Sequence, residues 1–209
     1  MQRDEPTLAE PIDETLLRAG FATIPDFADV LVANLHAPHP RHRVLALRGV
    51  VRQSLVTPPM WLDALGDDDA EVRRETLGLA AYASIEEVGI FSAVRGLLHD
   101  SDPLVVDAAV FALAEHLRVD AVDELCAIAS GHDDARCRES AVAALGAIGD
   151  DRGRAAILGA LDDKPPVRRR AIVALSNFEG PEIDAALERA SEDRDWQVRS
   201  AVSQLRNDD

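Results

Sequence analysis

Three histidines, His36, His39 and His42, recur every third residue near the start of the chain, and His99 takes the place of His36 in a later stretch of similar sequence. Imidazoles at such spacing are good donors for a transition metal. Pro38 and Pro40 interrupt any helix that would put all three on one face, and no carboxylate stands among them, so the spacing predicts a turn and not a metal site. The two cysteines flank His132 as Cys126-x5-His132-x4-Cys137, which is not a zinc spacing. Both fall on apolar stripes, which predicts buried packing. They lie at similar distances from the turn between them, so their side chains are expected near one another. Glu115-His116 is a solitary acid–imidazole pair. No catalytic residue, cofactor or metal is predicted.

Charge narrows the partners. The chain carries 22 basic and 38 acidic residues, a net charge of −16, and a single lysine, Lys164. A nucleic-acid track needs a continuous basic surface; only Arg168, Arg169 and Arg170 suggest one, interrupted by Asp107 and Glu139 on the same face. The polar, acidic start and the lack of any apolar run of about 18 residues predict a cytoplasmic protein that does not enter a membrane.

The elements that hold these residues follow from a repeat. The segments beginning at Asp67, Asp100, His132, Asp162 and Asp193 share an acidic turn, an apolar residue, an arginine, and then small and aliphatic residues. Aligned on that arginine, the anchors are Arg43, Arg73, Val106, Arg138, Arg168 and Arg199, with steps of 30, 33, 32, 30 and 31 residues. One residue before the anchor the chain is apolar in every copy but that of His42. Three after it come Ala46, Thr76, Ala109, Ala141, Ala171 and Val202; seven after it, Val50, Ala80, Leu113, Leu145, Leu175 and Arg206. Offsets of minus one, three, four and seven trace one stripe of a helix. A shorter apolar helix precedes each: within Val30–Leu35, Trp61–Leu65, Phe91–Leu98, Leu125–Ala129, Ala155–Leu161 and Ile183–Leu187. Each unit is thus a helix hairpin that buries its stripe only by stacking on its neighbours.

The string Asp, a short gap, Val-Arg, two residues, Ala, two residues, Ala-Leu-Gly resembles HEAT repeats of the short phycobilisome-lyase type, over about residues 26–206. The resemblance implies an all-α fold, a right-handed α-solenoid of about six hairpins. The expected units are 26–56, 57–85, 86–118, 119–149, 150–179 and 180–209, after an N-terminal tail and short capping helix over 1–25. Ile12, Leu16 and Leu17 would make that helix amphipathic, and the first ten residues are expected to be disordered. At the other end, Ser203 and Arg206 give the last copy a polar face. The resemblance also implies an arginine ladder: Arg73, Arg138, Arg168 and Arg199 held against the acidic turn next door, with Val106 as a break. Asp69, Asp102, Asp134 and Asp195, four residues before their anchors, are expected to cap the second helices.

HEAT arrays imply a binding scaffold. Among enzymatic relatives, the HEAT-like di-iron hydroxylases carry repeated His-Glu pairs that this chain lacks, and the HEAT-like DNA glycosylases use a basic face with tryptophans, whereas Trp61 and Trp196 fall near opposite ends. The expected function is therefore non-catalytic protein–protein interaction with a protein or peptide. The surface would be the face of the second helices that packing leaves over, expected to be concave, with Arg48, Arg52, Arg74, Tyr82, Phe111, Arg169 and Arg170 as candidate contacts. Phe111 and Tyr82 are expected near Arg74, because aromatic and arginine anchors dominate such surfaces. A lyase-like accessory subunit handling a tetrapyrrole or other cofactor is the alternative, and nucleic-acid binding a weaker one.

Overall fold

The computed structural model describes residues 14–19, 27–85 and 88–207. Among them there are thirteen α-helices and no strand. Helix α1 (Glu14–Ala19) is followed by six pairs: α2 (Ala28–Asn34) with α3 (Pro40–Arg52), α4 (Pro58–Leu65) with α5 (Ala70–Ala80), α6 (Val88–Gly96) with α7 (Pro103–Glu115), α8 (Val122–Gly131) with α9 (Ala135–Ile148), α10 (Arg154–Gly159) with α11 (Pro165–Leu175), and α12 (Pro181–Ser191) with α13 (Trp196–Asn207). Among the described residues no helix is long and apolar enough to cross a membrane.

Local chemistry starts each second helix. Proline opens α3, α7 and α11, where its missing N–H costs no bond and its fixed φ is already helical. The carboxylates of Asp69, Asp102, Asp134 and Asp195 accept from the N–H groups of Glu71, Leu104, Arg136 and Gln197, each at 2.8 Å. Where the aspartate is replaced, the cap changes: His39 accepts from Arg41 through Nδ1, and Lys164 gives no side-chain cap. Helix α9 ends at Gly149 with φ of 69°, the left-handed closing residue that glycine adopts without strain.

Packing then stacks the pairs. The small residues at mid-stripe, Ala46, Thr76, Ala109, Ala141 and Ala171, are fully buried; Thr76 stays satisfied by donating to the Val72 carbonyl at 2.6 Å. Backbones approach closely at Gly146, where an added Cβ would stand 2.6 Å from the Cβ of Ala174. Each second helix packs on the next, α3 through α13, and more extensively than the first helices pack on one another, so the stack is tighter on that side. One core runs from Trp61 to Ile183, with smaller clusters at either end. The N-terminal cluster includes Leu16 of α1, packed with Leu31, Leu45 and Leu47, while Leu17 is exposed. The remainder of the expected capping segment, Ile12 included, and the first ten residues lie outside the described residues.

Candidate functional site

The anchor arginines tie neighbouring pairs together. Arg43 holds Asp67 through Nε and Nη2 at 2.7 and 2.6 Å. Arg73 holds Asp100 at 2.7 and 2.9 Å, Arg138 holds Asp163 at 2.6 and 2.7 Å, and Arg168 holds Asp193 at 2.9 and 2.7 Å. The remaining Nη1 of each donates to carbonyls of its own turn, as Arg73 does to Asp67 O and Asp68 O. The carboxylates also accept within their turns: Asp67, Asp100 and Asp193 from the N–H groups of Asp69, Asp102 and Asp195. Burial pushes the Asp67 and Asp100 carboxyls up, but the facing guanidinium and the backbone donor outweigh it and hold both below the ordinary carboxylate value. For Asp163 and Asp193 the arginine bond is itself the largest influence, in the same direction. The rung aspartates stand five or six residues before the next anchor and are distinct from the capping aspartates. Sequence reasoning named only the caps; the recurrence of Asp67, Asp100 and Asp193 six residues before an anchor was the signal available.

Two positions depart from the ladder as expected from sequence. Arg199, in the last pair, donates only to Asp193 O and Arg194 O of its own turn, because no further acidic turn follows it among the described residues. At the third anchor, buried Val106 is matched in the next turn by His132, where the other turns carry the rung aspartate. His132 keeps the turn bond, accepting from Asp134 N through Nδ1 at 3.1 Å. The rung has lost both ends together. Packing is not weakened there, since α7 and α9 meet as extensively as other consecutive second helices.

On the face that packing leaves over, the second helices present a mixed strip. Tyr82, exposed over 76 % of its surface, meets half-exposed Phe111 edge-on, with ring centroids 6.0 Å apart. Beyond Phe111 a groove between α7 and α9 has a floor of Ala143, Ala144 and Ala147, and Asp107, Glu115 and Glu139 along it. Asp107 accepts from Ser140 Oγ. Arg48 pairs with Glu75, and Arg52 ends α3 nearby. Arg74 is not beside the aromatic pair: it leans toward Glu75 at 3.7 Å and begins eight residues before Tyr82, about 12 Å along a helix axis. Arg168 is also separated from the strip, since its guanidinium is spent on Asp193 and its side chain is only 5 % exposed. Three consecutive arginines therefore point two ways. Arg169 and Arg170 remain on the strip, the first bonded to Gln197 and the second 3.6 Å from Glu139.

The residues suited to chemistry are taken up in packing. Cys137 donates to Pro103 O on one side and Cys126 to Arg152 O on the other, so the two thiols face opposite neighbours and both are free. Burial pushes the Cys137 thiol up to about 11 and Cys126 upward as well. His39 and His42 stack at 5.4 Å between centroids, and no group of three or more potential ligands that could hold a metal occurs among the described residues. His116 bonds the Ala80 carbonyl at 2.9 Å and packs edge-on against buried Phe91, over which Arg118 also lies at 4.2 Å.

A family model described as HEAT repeats matches residues 57–144, 94–175 and 122–206, together well over half of the chain. No curated protein matches the sequence. Among solved structures, a designed armadillo repeat protein in complex with the peptide (KR)4 is similar at a TM-score of 0.67 and 18% identity, covering 87% of this chain and 98% of its own. A computationally designed armadillo repeat protein for modular peptide recognition is similar at 0.61 and 18% identity, covering 85% of this chain and 98% of its own. YibA of E. coli is similar at 0.66 and 14% identity, covering 93% and 75%. At these identities the likeness is one of fold.

Proposed function

Because the chain belongs to the HEAT-repeat family, we propose that it is a non-catalytic scaffold that binds another protein along the face of its second helices that packing leaves over. The observation that carries this reading is the Tyr82–Phe111 pair. Position five after the anchor is Arg48, Gly78, Ala143 or Val173 in other copies, so packing of the repeat does not demand a ring there. An exposed tyrosine against a half-exposed phenylalanine, next to a groove floored by alanines, supplies rigid apolar area with little side-chain entropy to lose on binding. The designed armadillo neighbours, one in complex with a peptide and one designed for modular peptide recognition, support this reading.

The test is capture of partners by the tagged full chain, followed by affinity measurement. Phe111→Ala with Tyr82→Ala is expected to weaken binding at least tenfold, in the range of truncated hot spots, while the melting temperature falls only modestly. Asp134→Ala is the control: loss of its cap costs about 1 kcal/mol of stability and leaves affinity alone. Undiminished binding by the double variant, with loss on altering the first helices instead, means the wrong face has been chosen.

A further inference from the structure

The second-helix strip ends in a pocket whose charge is opposite to that of the molecule. Arg169, Arg170 and Val173 of α11 and Trp196, Gln197 and Ser200 of α13 line it, and no acidic side chain is among its lining residues, in a chain of net charge −16. Arg169 donates to Gln197 Oε1 at 3.1 Å, a neutral partner that leaves its charge uncompensated. Trp196 is the first residue of α13, where the other second helices begin with Pro40, Ala70, Pro103, Ala135 and Pro165. A helix start asks for nothing bulky, and at 66 % exposed the indole is not core. Val173 beside it is half exposed.

We infer that this pocket holds an acidic segment of the protein partner, with a carboxylate on Arg169 and Arg170 and an apolar side chain on Trp196 and Val173; the inference rests on the reading of the second-helix face as the docking face. A guanidinium fork matches a carboxylate in two parallel bonds, and an adjacent indole adds apolar area with one donor. A row of phosphates is a poorer match, since the two guanidiniums are bordered by Glu139 and followed by neutral side chains, and strand binding draws on many cations in line. Repeats stack about 8–10 Å apart, so Arg169 lies roughly 16–20 Å, two repeats, beyond Phe111. An extended segment of about five or six residues spans that distance. The partner is thus expected to carry an apolar anchor and, about that far along, an acidic residue.

A blocked peptide of about eight residues alternating Glu and Leu, long enough to cover the pocket, tests this on the full chain. Trp196 reports binding by its fluorescence, because Trp61, the other tryptophan, is only 4 % exposed. Saturable, salt-sensitive binding is expected, weakened at least tenfold by Arg169→Gln and lost in Arg169→Glu with Arg170→Glu. Trp196→Ala is expected to weaken it likewise, followed by anisotropy of labelled peptide. No saturable binding, equal binding of the Lys and Leu counterpart, or tighter binding of oligothymidylate overturns the inference. Asp134→Ala, a cap outside the pocket lining, is expected to leave this short peptide bound as before. If the peptide does not bind but capture of the natural partner still depends on Phe111, the acidic-segment inference fails alone and the scaffold reading stands.

Discussion

The missing rung can be rebuilt, and the outcome measures what a rung contributes. In Val106→Arg with His132→Asp, the new guanidinium would sit where Arg73 and Arg138 sit in their pairs, with carbonyls of its own turn within reach of one nitrogen and the new carboxylate facing the other two. Existing rungs make two charge-assisted bonds of 2.6–2.9 Å, and their partners are well shielded, with Arg73 14 % and Asp100 6 % exposed at the side chain. Bonds to charged groups contribute about 1.5–3 kcal/mol each net, and the two bonds of one rung share the desolvation of a single ion pair. A net coupling of about 2 kcal/mol is expected. Val106→Arg alone replaces a buried valine by a cation facing an imidazole and is expected to cost about 2–3 kcal/mol. His132→Asp alone places a carboxylate against an apolar side chain and costs about 1 kcal/mol, because it retains the bond from Asp134 N. The double variant should therefore recover to within about 1–2 kcal/mol of the parent, its cost falling well short of the sum of the two single costs. Urea denaturation of all four proteins at neutral pH reads the cycle, and the melting temperature should follow at about 2–4 °C per kcal/mol for a chain of this size. Additivity to within about 0.5 kcal/mol would refute the view that the arginine–aspartate bond, and not apolar packing alone, couples adjacent pairs.

Three further outcomes follow. Because the Asp67, Asp100, Asp163 and Asp193 carboxyls are held below their ordinary value, the stability they contribute is fully present above about pH 4 and is lost as pH falls through their folded values. Urea midpoints across that range should fall mainly below about pH 4, less steeply in Asp100→Asn, and a rung contribution already gone at pH 5 contradicts the assignment. Gly146→Ala forces a methyl against the Cβ of Ala174 at 2.6 Å, with a cost of about 1–3 kcal/mol read by thermal melting; an unchanged melt would show that α9 and α11 separate freely. Burial with a thiol pushed up to about 11 leaves Cys137 unreactive to a disulfide reagent in the folded protein, whereas half-buried Cys126 reacts first; equal rates would overturn this.

The fold was legible because the repeat writes its helices in redundant form: five or six copies of each position distinguish a rule from an accident, and helix stripes depend only on spacing along one chain segment. Relations between segments were less legible. Arg168, Arg169 and Arg170 are adjacent in sequence, yet a helix turns about 100° per residue and sends the first into the stack and the others to the second-helix strip. Arg74 and Tyr82 share a strip but not a neighbourhood, because the strip runs across helices while their separation runs along one. The cysteines sit symmetrically about a turn, but each points outward from the pair they share toward a different neighbour. Trp196 was read only as too far from Trp61; its meaning lies in the Pro and Ala that occupy the equivalent helix starts.

The paired replacement at Val106 and His132 also bears on how an array like this can change over generations. Wherever an arginine faces an aspartate, one unit can in principle be duplicated, excised or exchanged for another, since the ends of the joint are the same at each such seam. At the third seam they are not. Shifting the fourth unit to follow the second would set Arg73 against His132 and strand a cation, and placing the fifth after the third would leave Asp163 opposite Val106 without its arginine. A lineage carrying this altered seam is free to shuffle units only on either side of it, so the two substitutions work as a lock on the order of the units.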